Sequence, residues 1–156
     1  MKKLNKKGLV LSSSKGFTLI EVVLVLAIGG LIFLLAFIAF QQVSTNRRDT
    51  VRRSEAGRFT AEVANYSGDA GGKIPGQTGA LTIAAFVTQY IANPWNDPNG
   101  AAFVNVATEA EVNSASKFFF AAGKKCDGNA TVAGGSADYA IVMGLEKGKT
   151  CRSTSQ

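Results

Sequence analysis

The sequence predicts an α+β protein: a long N-terminal helix, apolar in its first half and amphipathic in its second, packed on a small antiparallel β-sheet head. Three observations predict it. Residues 22–40 form an unbroken run of nineteen apolar residues. Residues 41–66 continue without proline and with charged residues interleaved among apolar ones. The C-terminal part then holds three strand-like runs separated by glycine-bearing turns. Four segments follow: a leader over residues 1–16, an apolar helix half over 17–40, an amphipathic half over 41–68, and a head over 73–156.

The leader holds five lysines (Lys2, Lys3, Lys6, Lys7 and Lys15) and no acid, although the whole chain of 156 residues has a formal charge of +6. Without residues 1–16 the chain keeps 12 basic and 11 acidic side chains. The positive balance is therefore a property of the leader and does not point to nucleic acid as a partner. Lysines on that side of an apolar span are expected to stay in the cytoplasm, which places everything after Phe40 outside.

Residues 22–40 contain no charge, no proline and no polar side chain. At helical rise they extend about 28 Å, close to the hydrocarbon thickness of a bilayer. A membrane-spanning helix is expected. In the next stretch Val43, Val51, Phe59 and Val63 recur at multiples of four, with Ala56 near the same stripe. That pattern predicts a one-sided helix face, with Asp49 and Arg53 as an i,i+4 ion pair on the polar side. The helix is expected from Phe17 to about Tyr66, ended by Gly68, Gly71, Gly72 and Pro75.

In the head, residues 80–91 read as a short helix and residues 93–100 (NPWNDPNG) as a loop. Strands are expected at 102–107, 117–122 and 139–145. In the last, Tyr139, Ile141, Met143 and Leu145 alternate with the smaller Ala140, Val142 and Gly144. A bulky face and a slim face suit a sheet covered by a helix on one side. The Val51/Phe59/Val63 stripe is the expected cover, because so small a sheet has little core of its own.

Two cysteines and no histidine are present. Two thiolates without imidazole do not close a four-ligand zinc site unless carboxylates help. In an exported domain Cys126 and Cys151 are expected to form one disulfide, tying down the C-terminal tail. Without histidine the usual general base of serine and cysteine hydrolases is missing, and no enzyme is expected. Asn93, Asn96, Asp97 and Asn99 offer oxygen ligands, so calcium is conceivable. A turn packed by Trp95 is the preferred reading, and neither metal nor cofactor is expected. The arginines from Arg47 to Arg58 read as a solvated helix face laced with acids rather than as a phosphate site. Phe118 and Phe120 are expected on one strand face, with Phe119 on the other, toward a neighbouring head or the helix.

The segment from Lys15 to Glu21 reads KGFTLIE and leads straight into the apolar run. With Gly16, Phe17, Thr18, Leu19 and Glu21 in register, the chain resembles the type IV pilin family, pilins and pseudopilins alike. The resemblance is close from Lys15 to about Phe40 and covers the rest in outline. It implies a pilin-like fold and cleavage between Gly16 and Phe17 by a prepilin peptidase on the cytoplasmic face. It also implies N-methylation of Phe17, so that the mature chain starts with N-methylphenylalanine. A single-pass subunit would wait in the cytoplasmic membrane. An inner-membrane pilus assembly platform would then draw it into a homopolymer with other subunits, forming an extracellular fimbrium. Twitching motility, cell adhesion, DNA uptake and secretion share this design. The expected function is the structural subunit of a type IV pilus. The alternative is a pseudopilin of a type II secretion or competence system. A membrane-tethered exported binding protein or enzyme is the reading from a different class. Where many pilins have a proline late in the apolar run, this chain has Ile38, and Gly29 and Gly30 are the candidates for weakening the helix.

Glu21 has two compatible readings. With Thr18 it fits a capping box, where an anion also suits the helix dipole. A charge leading into a membrane-length apolar run still costs a few kcal/mol. The resemblance implies a compensating partner in the α-ammonium of Phe17, of the same chain or of a neighbouring subunit. Thr18 and Glu21 are thus the expected assembly residues.

Overall fold

The computed structural model describes residues 16–91 and 94–154. The chain divides into two compact units, residues 1–41 and 42–156. One helix, α1 (Leu19–Asp69), contributes to both.

In the first unit Gly16, Phe17 and Thr18 have no regular secondary structure and the chain is helical from Leu19 onward. The helix starts two residues later than expected because Thr18 acts as its cap. It runs unbroken through Gly29 and Gly30. Every large apolar side chain from Val22 to Phe40 is exposed, by 47% at Val22 and 75% at Phe40. An eighteen-residue window of α1 reaches a mean hydropathy of 3.1 and none of it is buried. An exposed apolar surface of this extent requires lipid or protein as its surroundings.

In the second unit α1 buries Ala56, Phe59 and Val63 of the expected stripe, but its inward row departs from that stripe toward the N-terminal side. Asp49, Arg52, Ala56, Phe59, Val63 and Tyr66 are buried, whereas Val43 and Val51 remain exposed by 51% and 46%. The reason is angular. Steps of four residues precess about 40° per step around a helix of 3.6 residues per turn, while alternating steps of three and four hold one face. The buried row follows the second rule and places Asp49 and Arg52 in line with Phe59. Asp49 accordingly pairs with Arg52 and not with Arg53. The helix passes Gly68 and stops at Asp69. Gly71 then adopts φ 65°, and the Gly72 N–H donates to the Ser67 carbonyl at 2.7 Å. A left-handed glycine followed by this backward hydrogen bond is the Schellman stop.

The chain returns through a turn that buries Ile74 and Pro75. Tyr66 Oη accepts a hydrogen bond from the Leu81 N–H at 2.8 Å, fixing that turn to α1. Helix α2 (Ile83–Phe86) follows, with Thr82 as N-cap accepting from the Ala85 N–H at 3.2 Å. One π-helical turn, Val87–Ile91, completes it. The start is later than residue 80 because the Ala80 N–H is spent on the Gln77 carbonyl.

Among the described residues the head has six strands: β1 (Val104–Asn105), β2 (Lys117–Ala122), β3 (Lys124–Asp127), β4 (Ala130–Ala133), β5 (Tyr139–Gly144) and β6 (Lys149–Ser153). The main sheet has the order β1-β2-β5-β6, and β3-β4 is a separate hairpin. The sheet is rich in antiparallel pairing, but β1 lies parallel to β2. Residues 106–116, which include a 3₁₀ turn at Glu109–Glu111, carry the chain back to start β2 beside β1. β1 is shorter than expected because Ala102 instead closes the preceding loop, in an isolated bridge to Asn96.

Phe118 and Phe120 of β2 and Tyr139, Ile141 and Met143 of β5 face α1. Phe59 sits among them, with ring centroids 5.2 Å from Phe86, 5.5 Å from Trp95, 5.7 Å from Phe118 and 5.2 Å from Phe120. Full burial of one such ring contributes roughly 1.5–3 kcal/mol before any stacking preference. The slim face of β5 is not left open. Ala140 and Val142 are buried with Val112 and Cys151, and Phe119, Val106 and Cys126 pack against them. Phe119 therefore packs inside its own head.

Candidate processing and assembly site

Gly16 and Phe17 lie just before the first helical turn, exposed and outside regular secondary structure. A peptide bond so placed is open to a protease cleft that requires an extended substrate. Lys15 and the rest of the leader lie outside the described residues.

Thr18 and Glu21 make the two halves of a capping box. The Thr18 N–H and Oγ1 donate to Glu21 Oε2 at 3.2 and 3.1 Å, and the Glu21 N–H points back at Thr18 Oγ1, 3.4 Å away. Both bonds received by the carboxylate fall on Oε2, and Oε1 makes no hydrogen bond among the described residues. Capping thus uses one oxygen of Glu21 and leaves the other, with its share of the charge, toward the exterior. Before cleavage Phe17 has an amide nitrogen. Cleavage after Gly16 would place an ammonium one residue from the Thr18 N–H that already contacts this carboxylate.

The head is held by ionic contacts that the linear pattern hides. Arg52 is fully buried, and its Nε and Nη2 donate to the two oxygens of Asp97, the second at 2.9 Å. Its Nη1 donates to Asp49 Oδ1 at 2.8 Å and to Glu146 Oε1 at 3.4 Å. Asp49 also accepts from the Glu146 N–H at 3.0 Å. Arg48 reaches the same Glu146 with Nε and Nη2. Hydrogen bonds from Arg48 are the main influence that brings the Glu146 carboxyl from 4.5 down to about 2, against its burial and with help from Arg52. The bond to Asp97 above all raises the Arg52 guanidinium further above its ordinary value, opposed by burial.

These contacts decide what NPWNDPNG does. Asp97 is buried and spends both oxygens on Arg52, with Oδ2 also accepting from the Asn99 N–H at 3.0 Å. A guanidinium stands where the sequence allowed a cation. Asn96 and Asn99 are exposed, and Asn93 lies outside the described residues. Among the described residues no group of three or more acids, cysteines or histidines is placed to hold a metal ion. Trp95 is buried against Phe59, and its Nε1–H donates to Glu55 Oε2 at 2.9 Å. Arg58 bonds Glu55 and the Ile91 carbonyl. The Arg47–Arg58 cluster is therefore largely an internal brace. Its signal in the sequence was the 3-4-3-4 spacing that puts Arg52 in the core row.

Cys126 of β3 and Cys151 of β6 are joined in a disulfide, with Cα atoms 5.8 Å apart. A second tie lies close by. Glu109 accepts from the Thr131 N–H at 2.9 Å and Oγ1 at 2.7 Å, and pairs with Lys149. Burial pushes the Glu109 carboxyl up, but the bonds from Lys149 and Thr131 outweigh it and leave it below its ordinary value. Thr131 is the cross-strand partner of Cys126, so the disulfide and this ionic tie hold the same hairpin to the sheet.

An apolar, exposed helix behind a cappable acid, joined in sequence to a small α+β head, fits a protein anchored in a membrane near its N-terminus. The prokaryotic N-terminal methylation motif matches residues 11–37, the segment that contains Gly16, Phe17, Thr18 and Glu21. That match, confined to the N-terminal segment, supports a protein of the type IV pilin or pseudopilin class. No curated protein and no solved structure matches the chain.

Proposed function

We propose that the chain is the structural subunit of a type IV pilus. A prepilin peptidase cuts between Gly16 and Phe17 and methylates the new N-terminus. The subunit stays in the cytoplasmic membrane through residues 22–40 until an assembly platform adds it to the fibre. It acts by polymerising, not by catalysis.

The observation that carries this reading is the Glu21 carboxylate at the head of a fully exposed apolar helix, with one oxygen engaged in capping and the other open. In a dry layer an opposite charge on that oxygen is strongly favoured. The apolar helix exchanges one dry environment for another on leaving lipid for fibre, so packing and this ion pair set the balance. The disulfide-closed C-terminal segment favours a pilus over a pseudopilus.

Intact mass of the protein from its host, together with immunolabelling of cells, tests this. The mature protein should begin at Phe17 with one added methyl group, and label should decorate surface fibres. A start at Met1 would sink the processing step. Correct processing with no label on surface fibres would favour the pseudopilin.

A further inference from the structure

We infer that the head docks on anionic phospholipid headgroups while the subunit waits in the membrane, through a cationic surface centred on Arg47 and Lys147. This rests on the membrane-spanning reading above. In sequence, residues 47–53 mix four arginines with Asp49. The fold sorts them. Asp49, Asp97 and Glu146 are all committed to Arg48 and Arg52. Arg47 is exposed and makes no ion pair among the described residues. Lys147 follows Glu146 in the β5–β6 turn and is exposed in the same way. Asp49 and Asp97 are buried, and Glu146, which is partly exposed, is spent on Arg48 and Arg52, so the charge left over at this surface is positive.

Position and neighbours choose the partner. In sequence Arg47 comes only seven residues after Phe40, the last of the apolar run, and the headgroup layer beyond the hydrocarbon is a gap roughly 5–8 Å deep. An arginine reaches back over such a gap with its aliphatic stem along apolar surface. Val43 and Val51 line one shallow groove with Arg47 and Thr50, and both valines are half-exposed. A cation between two exposed aliphatic side chains suits the boundary between headgroups and acyl chains. Anionic lipid adds attraction of about 1 kcal/mol per basic residue near its surface. The free-standing face of Arg47 thus matches a lipid surface better than a nucleic acid, which offers nothing apolar to the valines.

The test uses full-length protein in vesicles of phosphatidylglycerol or of phosphatidylcholine, treated with a membrane-impermeant acetylating reagent. Modification of Lys147 is read by mass spectrometry, with Lys125 as the internal reference. Lys147 should react severalfold more slowly in phosphatidylglycerol. High salt and Arg47→Gln should each reverse that protection. Equal rates in the two lipids would overturn the inference. So would protection in phosphatidylcholine supplied with inorganic phosphate, which would make the site one for free anions. Protection that arises only in assembled fibres would give the surface to a second copy and also overturn it. Loss of the protein from vesicles on alkaline washing would remove the membrane-spanning reading and this inference together.

Discussion

Arg52 and Asp97, forty-five residues apart in sequence, meet in the head through two parallel hydrogen bonds, with both side chains almost wholly out of solvent. The pair fixes the NPWNDPNG loop to α1. A buried pair of this kind adds little net stability, because desolvation offsets its attraction, but breaking it strands a charge. Arg52→Ala should destabilise the head by about 3–5 kcal/mol. Arg52→Met should cost clearly less when Asp97→Leu is made with it, since no charge is then left unpaired. Chemical denaturation of the soluble head and of the variants checks this. A loss below about 1 kcal/mol for Arg52→Ala would contradict the buried geometry.

Glu146 gives the head a defined acid response. Its carboxyl is lowered in the fold from 4.5 to about 2. A depressed carboxylate contributes stability that is fully present above the unfolded value and is lost as pH falls through the folded one. The contribution of Glu146 should therefore disappear between pH 4.5 and about 2 and be flat above that window. Melting temperatures across this range should show a shallower acid slope for Glu146→Gln than for the parent. Parallel curves would assign the acid response to other carboxylates.

Gly144 marks a place where a side chain has no room. A Cβ there would lie 1.9 Å from the Ser114 carbonyl oxygen and 2.7 Å from its carbon, both backbone atoms. Gly144→Ala should force β5 away from the loop that precedes β2, at a cost of at least the 1–3 kcal/mol typical of overpacking. Poor recovery of folded head, or a clearly lowered melting temperature, is expected. A variant as stable as the parent would show that residues 113–115 shift freely. The test is sharpened by Gly128→Ala, which meets no atom within 4 Å and carries only the strain of φ 60°.

Capping and charge at Glu21 separate by substitution. Glu21→Gln retains a side chain that can close the box with Thr18, and Thr18→Ala removes the cap but keeps the charge. Loss of a threonine cap costs about 1 kcal/mol of helix stability. If the free oxygen serves assembly, Glu21→Gln should be processed and inserted yet give little fibre, while Thr18→Ala assembles nearly as the parent does. Fibre yield by shearing, measured beside the amount of processed protein in the membrane, decides between them. Normal yield from Glu21→Gln would leave capping as the only role of this residue.

How much of this was legible in the sequence depended on how local the physics is. The membrane-length run and the Thr18–Glu21 box involve neighbours within one turn, so composition and spacing disclosed them. The phenylalanine run of β2 and the alternating large side chains of β5 disclosed these strands for the same reason. Arg52 was hidden because its partners come from a loop and a turn far along the chain. Val43 and Val51 misled because four-residue steps look like a stripe on paper and wind around a real helix. β3 and β6 are short and mostly polar, and β4 is four small, mostly exposed residues, so none shows a strong apolar alternation. The parallel placement of β1 depends on a crossover whose path no local signal encodes.

β5 is buried along its whole length, but its two sides differ in size: Tyr139, Ile141 and Met143 on one, Ala140, Val142 and Gly144 on the other. A slip of one residue would exchange those sides. Tyrosine, isoleucine and methionine would be driven against the disulfide cluster and the Ser114 carbonyl, and a gap would open beside Phe59. The strand therefore works as a keyed part that seats in one register only. Every copy of the head that closes then presents the same outer surface, because a mis-threaded one would not close at all.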